Sequence, residues 1–188
     1  MSNLVTIASK TVTIAQLNQL HAHLIQNSLH RHGFWLELLL DHCTRLRAPP
    51  LYARLLFHSS SSPNIYIFTS ILRYYSQTGD HGEVLCLFRQ MNNSCNVKPD
   101  AYVYPIVIKS AGKAGIIFHA HVRKLGHFQD PYVRNVIMDA YGKYGCTEIA
   151  RKVFDEMSSR KVADWNSMIS GYWKWGNEEE ACRLFNSQ

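Results

Sequence analysis

Ten histidines give this 188-residue chain its most visible capacity to bind a metal or move a proton. Four of them form two pairs, His21 with His23 and His119 with His121. On a helix, a spacing of two turns the rings about 200° apart. Neither pair can therefore share a metal on one helix face, and no Cys or carboxylate cluster joins them. Packing or surface roles are the expectation for these rings. His81-Gly82-Glu83 matches the HxE half of the zinc deaminase signature, but no PCxxC follows it. Gly112 and Gly115 read as a helix-breaking turn, not a phosphate loop. No nucleophile stands beside a base, so the sequence points to no enzyme, no metal and no cofactor. A different chemistry comes from Lys113, Lys143 and Lys174, spaced 30 and 31 residues apart. On one face they form a ladder of positive charge suited to phosphates. Singly, each is an ordinary partner for a helix C-terminus.

The elements that must position such residues repeat along the chain. In Asp164–Phe185, Trp165, Met168, Ile169 and Tyr172 fall at i, i+3, i+4 and i+7, one face of a helix. Gly176 breaks that helix, and Glu178–Glu180 open another, where acids suit the positive end of the dipole. Ala181, Leu184 and Phe185 form the second apolar face. The stretch Tyr132–Met157 has the same layout: Gly145, Ala150 and Phe154 each lie 31 residues before Gly176, Ala181 and Phe185. Gly115 lies 30 before Gly145, and Gly79 lies 36 before Gly115. A superperiod overlies the short one, since His21 and His23 recur as His119 and His121 after 98 residues, and Phe57 recurs as Phe154 after 97. Two helices per unit at 30–36 residues is the signature of an α-solenoid.

On that register residues 13–32 are a partial repeat, followed by repeats at 33–64, 65–100, 101–130 and 131–161. Residues 162–188 are a repeat cut inside its second helix, which suggests a fragment. Helices are expected near residues 13–25, 34–44, 50–58, 66–76 and 80–91, with 59–63 a polar connector inside the rhythm. Residues 1–12 are rich in Ser and Thr and carry only Lys10; they have some transit-peptide character, or form a frayed terminus.

Hydrophobic residues make up 46%, enough to bury a core and exclude a disordered chain. A net charge of +6 favours an anionic partner, nucleic acid or a lipid surface. Five cysteines at irregular spacing, without CxxC, read as reduced and mostly buried thiols of an intracellular protein. No apolar run reaches the roughly 18 residues that span a membrane, so no membrane partner is expected.

The strings WNSMISGY with GNEEEACRLF (165–185), ARKVFDEM (150–157), HAHVRKLG (119–126) and VKPD (97–100) resemble pentatricopeptide repeats. The likeness is to the plant arrangement that cycles long, short and standard motifs, without that group's C-terminal deaminase domain. It covers about residues 13–188. The tetratricopeptide pattern fits worse, because its Trp and Pro positions are unmet. The resemblance implies an all-α, right-handed α–α superhelix whose first helices line a concave face and read single-stranded RNA, about one base per repeat. It also implies a plant organelle, the mitochondrion or alternatively the chloroplast, and a role in RNA processing such as C-to-U editing by an enzyme recruited in trans.

Readout in the family uses the fifth and last residues of each motif. Here the pairs are Thr69 with Asp100, Pro105 with Asp130, and Asn135 with Lys161; the partner of Asn166 would lie past Gln188. Thr with Asp implies guanine, and Asn implies a pyrimidine. Pro105 offers no side-chain hydrogen bond, and Lys161 departs from the usual Asp. The second residues, Tyr66, Tyr102 and Tyr132, stand where the family sandwiches a base; alternatively they pack against a neighbouring repeat. Thr69, Asn135 and Asn166 could instead satisfy free N–H groups at helix starts. Two rival readings remain: a protein-binding helical scaffold, and a degenerate fragment without RNA affinity.

Overall fold

The computed structural model describes residues 7–9, 11–93 and 97–187, and among these every regular element is helical. The chain divides into two compact units, residues 1–98 and 99–188. No helix among the described residues is long and apolar enough to cross a membrane.

The first unit holds α1 (Ile14–Gln26), α2 (Gly33–Leu46), α3 (Pro50–Ser59), α4 (Ile65–Thr78) and α5 (His81–Asn93). The five expected helices lie within two residues of these bounds. Local chemistry sets the starts. Thr13 and Gln16 form a capping box at α1, and Asn64 caps α4 through the Ile67 N–H. Gly79, at φ 85°, closes α4 in the left-handed conformation that glycine tolerates. α2 and α4 lie side by side, with α3 between them and α5 returning over α4. The core holds Leu17, Leu20, Leu24, Leu36, Leu39, Phe57 and Phe68, all under 3% exposed. Tyr74 is fully buried, and its hydroxyl donates to the Ala48 carbonyl at 2.5 Å. Burial pushes its pKa up to about 12, so it stays a neutral donor. Ala8 and Thr11 are also buried, held by His42 Nε2 to the Ala8 carbonyl and by Arg45 to the Thr11 carbonyl. These residues are packed, not frayed; residues 1–6 and Lys10 lie outside the described set.

The second unit holds α6 (Val103–Ser110), α7 (Phe118–Lys124), α8 (Pro131–Lys143), α9 (Thr147–Asp155), α10 (Val162–Lys174) and α11 (Glu178–Asn186). α8 packs on α6, α9 and α10, and α10 packs on α11. The first helices of successive repeats, α6, α8 and α10, are therefore neighbours in one layer. Gly145 and Gly176 are left-handed, as their role as helix breakers requires.

Four expectations need correction here. The left-handed glycine after α6 is Gly112, at φ 57°, not Gly115. Gly115 serves close approach instead: a Cβ there would stand 2.5 Å from the Ile108 carbonyl oxygen. Between them runs a 3-10 helix, Gly112–Ile117, so Lys113 does not sit at the end of a first helix as Lys143 and Lys174 do. The thiols are not mostly buried: Cys43 is buried, Cys146 half-buried, and Cys86 and Cys182 exposed, while Cys95 lies outside the described residues. Phe185 does not reproduce Phe154, being 67% exposed against 2%.

Three of the paired histidines meet tyrosines; His121 lies edge to face with Tyr104 at 5.8 Å between centroids. His21 Nδ1 is 2.9 Å from the Tyr52 hydroxyl, and His119 Nδ1 is 3.0 Å from the Tyr141 hydroxyl. Burial lowers both pKa values from 6.5, helped by His30 at the first and Arg123 at the second. Below pH 6.5 the unfolded chain binds more protons at these rings than the folded chain does. Their contribution is complete above 6.5 and is lost as the pH falls through the lowered folded values. The thermal midpoint should therefore fall between pH 7 and 5, with part of the slope removed in His119→Gln. A slope unchanged by that substitution would show that His119 carries none of it.

Candidate nucleic-acid interface

The starts of α4, α6 and α8 carry a tyrosine at the second position of each motif, Tyr102 as the residue just before α6. Tyr66, Tyr102 and Tyr132 are 62%, 73% and 54% exposed. These rings are not covered by a neighbouring repeat. Most of each ring faces solvent because the third residue of its motif takes the inward place: Ile67, Val103 and Val133 are each at most 1% exposed. The Lys109 ammonium lies 5.6 Å from the centre of the Tyr132 ring. Lys109 was not singled out by spacing; it lies seven residues after Tyr102, two helical turns along the same helix.

The residues expected to read bases occupy different environments. Thr69 is 9% exposed, and its hydroxyl proton is donated to the Ile65 carbonyl at 2.8 Å, within its own helix. Pro105 is buried in α6. Asp100 Oδ1 accepts from the Tyr102 and Val103 N–H groups at 2.9 and 3.0 Å, and Asp130 Oδ1 accepts from Tyr132 and Val133 at 2.8 and 3.2 Å. These carboxylates organise the helix starts that carry the tyrosines. Thr69 lies in the first unit and Asp100 in the second. Asn166 is exposed on α10. The caps fall on Asn64 and Asp130, so Thr69 and Asn135 do not serve as N-caps.

Asn135 is half-buried and does not meet Lys161, which is exposed. Its Nδ2 donates to Asp164 Oδ1 at 2.8 Å and approaches Ser167 Oγ at 3.4 Å. Asp164 is 3% exposed, and its Oδ2 accepts from the Lys161 N–H at 2.7 Å. No sequence signal was read at Asp164, although one exists. The third residues of α4 and α8, Ile67 and Val133, are aliphatic, and the third residue of α10 is an acid.

The lysine ladder is uneven. Lys143 Nζ pairs with Asp139 at 2.6 Å, which balances its charge. Lys174 Nζ donates to the Lys143 carbonyl at 3.0 Å and lies 5.8 Å from the Trp175 ring. Trp175 Nε1 in turn donates to the Gly142 carbonyl at 2.8 Å. Lys113 is exposed on the 3-10 turn. Lys109, Asp139 and Lys143 also line an open pocket of about 250 Å³ between α6 and α8.

Comparison with known proteins agrees with this arrangement. The model described as PPR repeat family matches residues 63–113, and that described as PPR repeat matches 132–162 and 164–187, together just over half of the chain. A pentatricopeptide repeat-containing protein of Arabidopsis thaliana is 54% identical over 169 residues, covering 89% of this chain and 31% of the relative. The Arabidopsis thaliana protein named CRR2, chloroplastic, is 29% identical over 176 residues, covering 89% and 26%. The chain thus spans less than a third of the length of these relatives. The crystal structure of the pentatricopeptide repeat protein PPR10 from maize aligns with a TM-score of 0.63 at 17% identity, over 96% of this chain and 27% of that one. The likeness shows the fold expected from the register, an α–α superhelix of helix-turn-helix repeats. The chain belongs to the pentatricopeptide repeat family.

Proposed function

We propose that this protein binds single-stranded RNA with sequence preference through the exposed first-helix residues of each unit, and does no chemistry itself. The observation that carries the reading is the recurrent exposed tyrosine at the start of α4, α6 and α8. A large aromatic ring left in solvent at one register position can stack an unpaired base, and at Tyr132 the Lys109 ammonium 5.6 Å from the ring can neutralise its phosphate. The motifs follow the family's cycle as a standard motif at 65–100, a shortened long motif at 101–130, a short motif at 131–161 and a standard motif from 162. We assign base readout to Asp100, Asp130, Asn135 and Asn166, and phosphate contact to Lys113 and Lys174. The family, and relatives in a plant of which one is named chloroplastic, support work in an organelle, plastid or mitochondrion. There the protein directs RNA processing, such as C-to-U editing, through an enzyme supplied separately.

Fluorescence anisotropy with an RNA pool of random sequence tests the reading. Tyr102→Ala and Tyr132→Ala should each lose about 1–3 kcal/mol of stacking, roughly 5- to 150-fold in affinity, while the fold persists. Salt-insensitive binding, or affinity unchanged in the double variant, would overturn it. Capture of a protein partner without RNA would favour the scaffold reading, for which Trp173 and Phe185 offer exposed apolar surface on α10 and α11.

A further inference from the structure

We infer that Asp164 is a positioning residue that fixes the polarity of Asn135, so that this repeat prefers a base with a ring N–H on its Watson–Crick edge. The inference rests on the RNA-binding reading above and adds to it a residue and a class of base.

An asparagine amide is ambidextrous. It has a carbonyl acceptor on one side and an NH₂ donor on the other, and turning χ2 by half a revolution exchanges them. A carboxylate is not, because when ionised it only accepts. With Asp164 Oδ1 at 2.8 Å, the nitrogen of Asn135 must face it. Ser167 Oγ, at 3.4 Å from the same nitrogen, lies on that side as well. Asp164 is itself held, since its other oxygen accepts the Lys161 N–H at 2.7 Å. The amide plane is thereby fixed, and Oδ1 is the end left to present. Among the described residues, Asn135 Oδ1 accepts no hydrogen bond.

The burial of Asp164 supports a purpose beyond capping. The matching places in α4 and α8 are Ile67 and Val133, at 1% and 0% exposed. A carboxylate at 3% exposure, with no ion pair among the described residues, is costly where its counterparts are aliphatic. What it gains beyond the Lys161 N–H is one bond, to the amide of Asn135. Lys161 cannot supply that bond, because an ammonium has no acceptor.

A fixed carbonyl discriminates by chemistry. Uracil and guanine carry a hydrogen on the ring nitrogen in the middle of the pairing edge, whereas cytosine and adenine carry a lone pair there. Opposite Oδ1, the first pair forms a hydrogen bond and the second sets two acceptors against each other. An amide free to turn would serve both about equally.

The test selects short oligoribonucleotides from a random-sequence pool with the whole chain, wild type and Asp164→Ala. Each position of the selected RNA is then replaced by cytidine and by N3-methyluridine, which removes the ring hydrogen. Wild type should show one position where uridine or guanosine is favoured and where either replacement weakens binding roughly tenfold. In Asp164→Ala the preference at that position alone should fall to about twofold or less, with the others retained. Enrichment in which the ring N–H preference survives Asp164→Ala overturns the positioning role and leaves RNA binding intact. Enrichment of no sequence by wild type overturns RNA binding, and the base preference with it. Because Asp164→Ala also removes the Lys161 contact, a second measurement uses the wild type without RNA. In isotope-labelled protein, the side-chain NH₂ hydrogens of Asn135, held by Asp164 Oδ1, should exchange with water more slowly than those of the exposed Asn166. An Asn135 NH₂ pair that exchanges as fast as that of Asn166 overturns the inference.

Discussion

Truncating Phe154 to alanine should lower the stability of residues 99–188 by about 3–5 kcal/mol, the usual cost of removing a large buried ring. Phe154 is 2% exposed and meets Trp165 edge to face at 4.9 Å between centroids. The Arg160 guanidinium lies 4.7 Å from its centre, while Arg160 Nε donates to its carbonyl at 3.0 Å. The ring thus joins α9 to the start of α10 and to the segment between them. Alanine leaves a cavity that this segment cannot close without losing the Arg160 contacts. For a unit of this size the thermal midpoint should fall by roughly 15 °C or more. Phe185→Ala is the control. It has the same place in the 31-residue register but is 67% exposed, so its cost should stay within about 0.5 kcal/mol. Urea titration of both variants decides the matter. Equal losses would mean that the two rings share an environment, against the burial seen here.

That contrast marks what the sequence could convey. Helices with strong apolar periodicity were legible because that signal is local, helped by caps at α1 and α4: α1 to α5 fall within two residues of expectation. Gly79, Gly145 and Gly176 were legible because each must adopt positive φ at a helix end. What depends on a neighbouring repeat was not legible. Phe154 and Phe185 look alike in one dimension, and only the arrival of Trp165 and Arg160 separates them. Gly115 fitted the 30-residue spacing to Gly145, yet what requires glycine there is the close approach of the Ile108 carbonyl, while Gly112 makes the turn. At the candidate interface the tyrosines were found by position, and their exposure could not have been. Thr69 held the same register place as Asn135 but turned its hydroxyl to its own helix. Asp164 went unread because its role appears only when α8 and α10 lie side by side.

The closeness of α8 and α10 leads to the second large effect. Gly171→Val should destabilise the second unit by about 2–3 kcal/mol, mostly by overpacking. A Cβ at Gly171 would stand 3.1 Å from the Gly142 Cα, and one at Gly142 would stand 3.3 Å from the Gly171 Cα. Both neighbours are backbone, so neither can step aside by changing rotamer. Against this, valine gains only a few tenths of a kcal/mol in helix propensity over glycine. Alanine gains nearly 1 kcal/mol and adds less bulk, so Gly171→Ala should come out milder. Gly176→Ala provides a different comparison: nothing lies within 4 Å of its Cβ, and its cost, about 1–2 kcal/mol, comes from φ 75° alone. The two glycines should also differ in what they do to the interface. Asn135 on α8 reaches Asp164 on α10 at 2.8 Å, and forcing the helices apart at Gly142 and Gly171 lengthens that bond. Gly171→Val should therefore release the Asn135 amide, seen in its NH₂ resonances, whereas Gly176→Ala should lose somewhat less stability and leave that amide held. If both variants released it, the loss would follow general loosening of the unit, and the glycine contact would have no special part in setting the spacing of the two helices.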